Sequence, residues 1–282
     1  MNYIKEPDIK DIIINALKED IGAGDITTQR VILRDKIVKA ILLAKENCVV
    51  CGLGVVASVF RTQDKNIRFK ICVKEGEFVK NGKIIARLTG KAGSILTAER
   101  VALNFLCHLS GVASMTRKFV KAVRPYKAKI MDTRKTTPGL RILEKYAVRI
   151  GGGFNHRFSL DEMMLIKDNH IKVAGGIAKL RGIGGEYKLE IEVKNLPEFK
   201  KAIKLKPDVI MLDNMSIKDI RKAVQIRNYR LPITDYRLPK LEASGGITLK
   251  NAKKIASCGP DMISIGALTH SVSSANISLE IL

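Results

Sequence analysis

Hydrophobic and polar residues alternate over short distances in the amino-terminal third of the chain, where turn residues separate the apolar segments. The segment 37–44 (IVKAILLA) is largely apolar and predicts a β-strand, and positions 71–88 alternate around two glycine turns. This pattern, over residues 20–90, predicts an antiparallel sheet. At 94–109 the apolar positions recur with helical spacing instead, so a helix is predicted there.

Beyond Gly111 short apolar runs alternate with longer amphipathic stretches. Strands are predicted at 129–131, 189–193, 209–212, 241–244 and 262–265. Helices are predicted among them at 196–206, 216–228 and 248–257. This alternation is typical of parallel strands covered by helices. A polar residue or a glycine stands where each strand ends, which favours an α/β barrel with its active site at the carboxyl ends of the strands.

The composition is that of a globular protein, with 282 residues of which 46% are hydrophobic and 28% charged. The longest nearly apolar stretch, 48–60, is shorter than the roughly 20 residues that cross a bilayer. The first residues lack the apolar core of a secretion signal. We therefore expect a cytoplasmic protein without a membrane span, whose five cysteines are reduced.

The net charge of +22 raises nucleic acid, anionic membranes and anionic metabolites as partners. Much of the excess is lysine on predicted helices, as at 199–204 and 250–255, where a solvated outer face accounts for it. Aromatic residues make up only 5% of the chain and tryptophan is absent, so stacking platforms for single strands are not evident. No specific nucleic acid is expected, although a basic nucleic-acid-binding protein stays open as a remote alternative.

Three glycine-bearing or turn-forming segments carry an unusual group of cations, DTRKTTPG at 132–139, GGGFNHR at 151–157 and LIKDNH at 165–170. Their cationic residues are Arg134, Lys135, His156, Arg157 and Lys167. An ordinary solvated helix would carry its cations at helical spacing among acidic residues. The pattern therefore favours a site for a small, multiply charged anion.

Glycine-bearing turns follow the last two predicted strands, EASGGIT at 242–248 and ISIGA at 263–267. In barrels that bind phosphorylated ligands, these positions commonly hold a phosphate on backbone N–H groups. We predict such a site from the residues Ser244, Gly245, Gly246, Ile265, Gly266 and Ala267.

Glu192 and Asp213 end neighbouring predicted strands among these cations. One interpretation is that they only neutralise the cations. We favour another, in which they bind Mg²⁺ with a diphosphate or stabilise a positive charge that develops on a sugar. We place Glu190 on the opposite face of its strand and regard it as the weaker candidate. The spacing of Arg100 in its predicted helix indicates a surface residue.

Seven motifs carry a family resemblance in their order along the chain: EDIGAGDITT at 19–28, ERVALN at 99–104, DTRKT at 132–136, GGFNHR at 152–157, LIKDNH at 165–170, LDN at 212–214 and EASGGI at 242–247. Together they closely resemble the quinolinate phosphoribosyltransferase family, the carboxylating nicotinate-nucleotide pyrophosphorylases of NAD biosynthesis. The resemblance runs over essentially the whole chain.

The resemblance implies the transfer of phosphoribose from 5-phosphoribosyl 1-pyrophosphate to quinolinate, which gives nicotinate mononucleotide, diphosphate and carbon dioxide with Mg²⁺ as cofactor. It implies an α/β fold: an amino-terminal α/β sandwich domain at 1–110 with an antiparallel sheet, and an incomplete (open) α/β barrel of TIM type at 111–271 that carries the active site. A tail at about 272–282 is expected to pack on the first domain. It also implies a homodimer, with a higher oligomer left open.

In this family, residues at the matching positions have assigned roles. The resemblance implies that the two carboxylates of quinolinate are held by Arg134, His156, Arg157 and Lys167, with Arg100 from the neighbouring subunit, which replaces the surface interpretation of that arginine. Catalytic roles are expected for Lys135, close to the phosphates, and for Glu192 and Asp213, which hold Mg²⁺ largely through water and diphosphate. Further ligand-binding backbone is expected at Thr133 and in the turns at Ser244 and Gly266.

Two features depart from the family pattern. Glu162 stands where the family usually has aspartate, and the segment 230–239 is longer than the usual connection. A related transferase for nicotinate or another aromatic acid is the nearest alternative. Loss of the cations for the second carboxylate would favour that alternative, but those cations are all present in this chain.

Overall fold

The computed structural model describes residues 6–32, 36–180, 182–183, 185–230 and 238–282. Within these ranges, no helix is long and apolar enough to cross a membrane. The chain divides into two compact units. The first comprises Met1–Arg117, Thr136–Gly152 and Ala267–Leu282, and the second comprises Lys118–Lys135 and Gly153–Gly266. Most of the predicted long connection at 230–239 lies outside the described residues, and the predicted domain limits stay a prediction.

A four-stranded antiparallel sheet organises the first unit. Its strands in spatial order are β12 (Ile277–Ile281), β1 (Ile37–Ala44), β5 (Ile84–Lys91) and β3 (Arg68–Ile71). The strands β2 (Cys48–Val49) and β4 (Phe78–Val79) form a separate pair. The predicted strand at 37–44 is confirmed as β1, whose residue Ala40 pairs with Ile281 on one side and Leu88 on the other.

The helices of the first unit are α1 (Glu6–Ile21), α2 (Ile26–Val31), α3 (Leu53–Gln63), most of α4 (Ala92–Val123), α5 (Arg141–Gly151) and α10 (Ala267–His270). The apolar stretch 48–60 forms β2 and most of α3, whose side chains are buried from Val55 to Phe60. Glu75 accepts hydrogen bonds from the backbone N–H groups of Gly52 (2.5 Å) and Leu53 (3.0 Å), which the helix leaves without internal partners. This stretch therefore serves as core of the first unit.

The helix α4 is longer than predicted and continues through Gly111. A Cβ atom at Gly111 would collide with the carbonyl oxygen of Ser273. Nearby, the N–H of Ala275 donates to the carbonyl of Cys107 at 2.9 Å. The glycine therefore allows the segment after α10 to pack on the helix, and the helix-forming neighbours on both sides outweigh its low helix propensity, which costs about 1 kcal/mol.

A six-stranded parallel sheet organises the second unit. Its spatial order is β6 (Lys129–Met131), β11 (Met262–Ser264), β10 (Lys240–Ser244), β9 (Val209–Asp213), β8 (Leu189–Val193) and β7 (Met164–Ile166). Among the described residues no ladder joins β6 to β7, so the barrel is open. The predicted fold class, an open α/β barrel together with a separate antiparallel sheet, is confirmed.

The helices of the second unit are α6 (Asp168–Val173), α7 (Leu196–Ala202), α8 (Ile217–Arg230) and α9 (Ala252–Ala256), with short 3₁₀ turns at Ile177–Lys179 and Ile203–Leu205. The predicted strands agree with the observed ones to within one residue at each end, whereas β7 was not predicted as a strand. The third predicted helix is shorter than expected, because the side chain of Asn251 accepts a hydrogen bond from the N–H of Thr248 at 2.8 Å and holds a turn before it.

Candidate active site

Residues at the carboxyl ends of the parallel strands project to one face of the sheet. The ladders align Glu192 with Met211, Met211 with Glu242, and Asp213 with Ser244. Aligned residues of neighbouring strands share a face, as do alternate residues of one strand. Glu192, Asp213 and Ser244 therefore lie on the same side, at the end of the sheet where a barrel gathers its active site.

The remaining strands extend this edge. Lys167 directly follows β7, and Thr133 and Gly266 each stand two residues beyond the end of β6 and β11. The ladder pairs Met131 with Ser264, so Thr133 and Gly266 continue corresponding positions of two neighbouring strands. The structure therefore brings predicted site residues from six strands to one end of the second unit.

Glu190 lies on the same face as Glu192, so its placement on the opposite face was wrong. Side chains in a strand alternate with a period of two, and residues two positions apart project to the same side. The side chain of Glu190 is 1% exposed, and its Oε2 lies 3.0 Å from Nε2 of His156. Glu190 is therefore a buried acid of the same face, one step deeper than Glu192.

Glu192 and Asp213 influence each other electrostatically. Burial raises the pKa of Glu192, and the nearby carboxylates of Asp213 and Asp168 raise it further, whereas Lys167 and Lys194 oppose the change. Charges of both signs therefore act on Glu192. A half-buried pair of carboxylates that repel each other is suited to an arriving positive charge.

Lys194 and Asp168, which were not predicted as site residues, stand beside this pair. Nζ of Lys194 lies 2.7 Å from Oδ2 of Asp168. This hydrogen bond raises the pKa of Lys194 and lowers the pKa of Asp168. Both groups are exposed, so the pair sets the local charge at the rim and adds little to stability. Asp168 stands in the LIKDNH motif, which is the signal that could have identified it.

The turn after β10 packs closely on the turn after β9. Gly245 and Gly246 both adopt positive φ angles, +88° and +59°, and a Cβ atom at Gly245 would collide with the side-chain amide of Asn214. The N–H of Asn214 donates to the carbonyl of Ser244 at 2.9 Å, and its side-chain amide donates to Asp213 at 3.0 Å. Glycine at 245 is therefore required to bring the predicted phosphate turn next to Asp213.

The turn after β11 is fixed to the neighbouring strand. The N–H of Ile265 donates to the carbonyl of Met131 at 3.0 Å, so the backbone here continues beside β6. Gly266 follows at the end of the second unit, and Ala267 begins α10 in the first unit. The residues predicted to bind phosphate, except Ala267, therefore lie in tight turns that are held by backbone hydrogen bonds.

Two guanidinium groups lie close together in this unit. Burial lowers the pKa of Arg157, the positive charge of Arg134 lowers it further, and the Glu190 carboxylate opposes the change. The Nε atoms of Arg134 and Arg157 are buried and have no hydrogen-bond partner among the described residues. Buried donors beside a like charge are unfavourable unless an anion accepts from them. The pair therefore favours a bound carboxylate or phosphate.

Backbone contacts orient Arg157. Its Nη1 donates to the carbonyl of Met163 at 2.8 Å, and its backbone N–H donates to Nδ1 of His156 at 2.9 Å. One residue earlier, the N–H of His156 donates to Asp132 at 2.8 Å, and the side-chain amide of Asn155 donates to the same carboxylate at 2.5 Å. Asp132 is fully buried at the end of β6, so it holds the loop that carries both His156 and Arg157.

His156, Glu190 and Glu242 form a buried cluster inside the second unit. Nε2 of His156 lies 3.0 Å from Glu190 and 3.6 Å from Glu242, and both acidic side chains are 1% exposed. Burial and the Glu190 carboxylate raise the pKa of Glu242 to about 8. Glu242 therefore carries a proton at neutral pH. Sequence reasoning named this residue only as the start of a turn.

The other predicted residues are more exposed. Lys135 is exposed, and its backbone N–H donates to the hydroxyl of Thr133 at 3.0 Å. Lys167 is exposed beside Glu192, where its charge lowers the pKa of that acid. Arg100 is exposed on α4 in the first unit. The acid Glu162, where the family pattern has aspartate, accepts a hydrogen bond from the N–H of Phe158 at 2.6 Å.

A cavity of about 380 Å³ lies at the opposite end of the sheet. Its lining includes residues at or next to the starts of the strands, Lys188, Val209, Lys240 and Met262, and also the buried cluster. Among the predicted site residues, His156 and Arg157 line it. The buried cluster and Arg157 therefore face this cavity.

Comparisons with known proteins connect this chain with one enzyme family. The family model described as "Quinolinate phosphoribosyl transferase, N-terminal domain" matches residues 25–110, and the one described as "Quinolinate phosphoribosyl transferase, C-terminal domain" matches residues 112–280. A probable nicotinate-nucleotide pyrophosphorylase [carboxylating] of Synechocystis is 43% identical over 256 residues, covering 89% of this chain and 85% of that protein. The nicotinate-nucleotide pyrophosphorylase [carboxylating] of Mycobacterium leprae is 39% identical and covers 96% of both chains.

Solved structures give the same result. The crystal structure of nicotinate-nucleotide pyrophosphorylase from Ehrlichia chaffeensis superposes with a TM-score of 0.91 at 40% identity and covers 100% of both chains. The two family models together cover most of this sequence, and the relatives exceed 38% identity over nearly its full length. This chain belongs to the quinolinate phosphoribosyl transferase family.

Proposed function

We propose that this protein transfers the phosphoribosyl group of 5-phosphoribosyl 1-pyrophosphate to quinolinate and removes one carboxylate, giving nicotinate mononucleotide, diphosphate and carbon dioxide. The names of the relatives state this reaction, and it serves de novo NAD biosynthesis. The observation that carries the proposal is the close pair Arg134 and Arg157, whose buried Nε donors lack a partner among the described residues. A dicarboxylate supplies the acceptors that these donors need.

The two substrates occupy different parts of the strand-end face. Quinolinate binds by its carboxylates at Arg134, Arg157 and Lys167, and His156 orients Arg157 by accepting a hydrogen bond from its backbone N–H. The turns at Ser244 and Gly266, with Thr133 and Lys135, hold the phosphates of the second substrate. Fixed donors of this kind lower the barrier chiefly by holding the pyridine nitrogen in line with the ribose carbon that it attacks.

Glu192 and Asp213 act on the charge that develops during transfer. As diphosphate departs, the ribose gains positive character, and two carboxylates at this position stabilise it electrostatically. Lys135 offsets negative charge on the leaving group. Placing the acids and Lys135 on different strand ends keeps the two developing charges apart.

Decarboxylation needs little from the protein beyond positioning. Once the pyridine nitrogen carries the ribose, it is cationic, so loss of the neighbouring carboxylate as carbon dioxide leaves an electron pair beside a positive nitrogen. The same ring carbon then takes up a proton from solvent. The side chains then have to hold the ring and exclude competing orientations. No side chain is assigned a role as general acid or base.

The donor set at Glu192 and Asp213 fits Mg²⁺. Two carboxylates that repel each other offer oxygen ligands, and Mg²⁺ is typically held by one or two carboxylates together with water and substrate phosphates. The ion would neutralise charge on the diphosphate. These two residues would hold it largely through water.

We further propose a homodimer in which Arg100 of one subunit completes the quinolinate site of the other, in the cytoplasm. Arg100 is exposed on α4, which leaves its guanidinium available to a second chain. Its variant Arg100→Ala should lose activity by itself. A mixture of Arg100→Ala with a variant inactive at Arg157 should regain up to about a quarter of wild-type activity by random exchange, since only mixed dimers then hold one intact site.

The test of the main proposal is a turnover assay with Mg²⁺, 5-phosphoribosyl 1-pyrophosphate and either quinolinate or nicotinate. Mononucleotide formed with an equimolar amount of carbon dioxide from quinolinate alone is the expected result. Product from nicotinate would favour the alternative transferase for a monocarboxylate, and absence of product from both acids would refute the substrate assignment. Arg157→Lys keeps the charge but not the planar donor fork, so it serves as the variant that should weaken quinolinate binding.

A further inference from the structure

We propose that Glu190 and Glu242 are positioning residues for the aromatic acid: they hold His156, and through it Arg157, in the orientation that receives a substrate carboxylate. This inference rests on the proposed function. Neither acid was predicted from the sequence as a site residue. Each lies two residues before a strand-end residue of its own strand, Glu190 before Glu192 and Glu242 before Ser244, so their side chains project to the same face.

The hydrogen bond at Nδ1 defines the state of the His156 ring. Because Nδ1 accepts from the backbone N–H of Arg157 at 2.9 Å, it carries no proton. The ring proton is then on Nε2, which faces Glu190 at 3.0 Å and Glu242 at 3.6 Å. The imidazole thus links the two buried acids to the backbone of Arg157, and a shift of the acids would be transmitted to that arginine.

The charges of the cluster also match the needs of the site. The Glu190 carboxylate raises the pKa of Arg157 and so opposes the effect of the neighbouring Arg134 charge. Glu242 keeps a proton at neutral pH. The two buried acids therefore contribute one negative charge beside two positive guanidinium groups. The net positive charge that remains attracts a dicarboxylate.

The burial of these acids favours an indirect, positioning role at the strand-end site. Their side chains are 1% exposed, beneath a His156 side chain that is 8% exposed. The oxygens of Glu190 and one oxygen of Glu242 have no hydrogen bond among the described residues. The Glu190 carboxylate instead interacts electrostatically with Arg157, and both acids lie beside Nε2 of His156. A group in this position affects the affinity for the acid substrate more than the affinity for phosphoribosyl pyrophosphate.

The experiment measures steady-state constants for both substrates in wild type, Glu190→Gln and Glu242→Gln. Glu190→Gln keeps the shape and removes the charge, so KM for quinolinate should rise about tenfold to a hundredfold, as expected for loss of one charge-assisted contact. KM for phosphoribosyl pyrophosphate and kcat should stay within about twofold. Glu242→Gln, which resembles the protonated acid, should raise KM for quinolinate less than about threefold at neutral pH.

Controls separate positioning from loss of fold. Asp208 accepts a hydrogen bond at 2.8 Å from the N–H of Leu189, which begins β8, the strand that carries Glu190. The control variant Asp208→Asn should leave both KM values unchanged. If Glu190→Gln does not fold, Glu190→Asp keeps the charge but withdraws it from His156, and it should also raise KM for quinolinate selectively. Equal rises in both KM values, or an unchanged KM for quinolinate in a folded Glu190→Gln variant, would overturn the proposal.

Two other outcomes are distinguishable. No turnover of quinolinate by the wild-type protein would refute the proposed function itself, before any variant is compared. The three ligand atoms of the cluster lie within 4.8 Å of one another, which is a spacing that a metal ion could bridge. If wild type retained one equivalent of a transition metal after chelator treatment and Glu190→Gln lost it, the cluster would be a metal site and the positioning role would be wrong.

Discussion

The buried acid Glu242 gives the protein a stability that depends on pH. Its pKa is about 8 in the folded protein, against 4.5 for the ordinary side chain, because burial and the Glu190 carboxylate oppose its ionisation. Between these values the unfolded chain releases the proton and the folded protein keeps it. Stability therefore decreases as pH rises through this window.

The size of the effect follows from the two pKa values. One pKa unit corresponds to about 1.4 kcal/mol. Between the two pKa values, each unit of pH lowers the free energy of unfolding by nearly this amount. From about pH 5 to about pH 8 the free energy of unfolding should fall by about 3 to 4 kcal/mol through this residue alone. Glu242→Gln removes the titrating proton and keeps the shape, so it should lose that part of the pH dependence and should be the more stable protein at about pH 8.

Urea unfolding followed by far-ultraviolet circular dichroism at about pH 5, 6.5 and 8 measures the difference. Protein concentration is held constant, because association would add to the apparent stability. Glu186→Gln removes an exposed acid of the same unit and serves as the control, with a pH dependence like that of wild type. Parallel curves for wild type and Glu242→Gln would show that Glu242 ionises normally in the folded protein and would refute the reasoning.

Further variants test other parts of the site. Gly245→Ala places a Cβ atom against Asn214 at a φ of +88°, so it should destabilise the fold by about 1 to 3 kcal/mol and raise KM for phosphoribosyl pyrophosphate, as thermal unfolding and kinetics can show. Glu192→Gln should lower kcat about a hundredfold with little change in either KM, and a shift in KM alone would contradict its electrostatic role. Asn195 is the N-cap of α7 and accepts a hydrogen bond from the N–H of Glu198 at 2.9 Å. Asn195→Ala should lower stability by about 1 kcal/mol and leave kcat unchanged. A lower kcat would show that α7 influences the active site.

The elements of the second unit were largely predictable, because each strand is a compact apolar run closed by a polar residue or a glycine. The exception is β7 (Met164–Ile166), which overlaps the LIKDNH motif that was interpreted as a turn-forming segment. The helix α4 was predicted too short because Gly111 was interpreted as a change of pattern. In the folded protein that glycine serves the close approach of Ser273, a contact between distant positions that local spacing does not show.

The cations and the strand-end acids of the site could be named from the sequence, whereas the acids beneath them could not. Glu190 and Glu242 stand in ordinary strand sequence, and hydropathy treats any glutamate as a surface residue. Their importance depends on which distant side chains face them, above all His156. Pairing across a barrel is set by strand order and register, which a single sequence does not contain.

The pairing of β1 with β12 has a consequence during biosynthesis. The central position of β1 in its sheet depends on residues 277–281, which are synthesised after the whole second unit. Until they emerge from the ribosome, one edge of β1 presents unpaired N–H and C=O groups, a surface that recruits other strands. The second unit can acquire its fold earlier, since all its segments precede Ala267. Completion of the first sheet is therefore a late, non-local event, and the nascent chain is most prone to aggregation just before it.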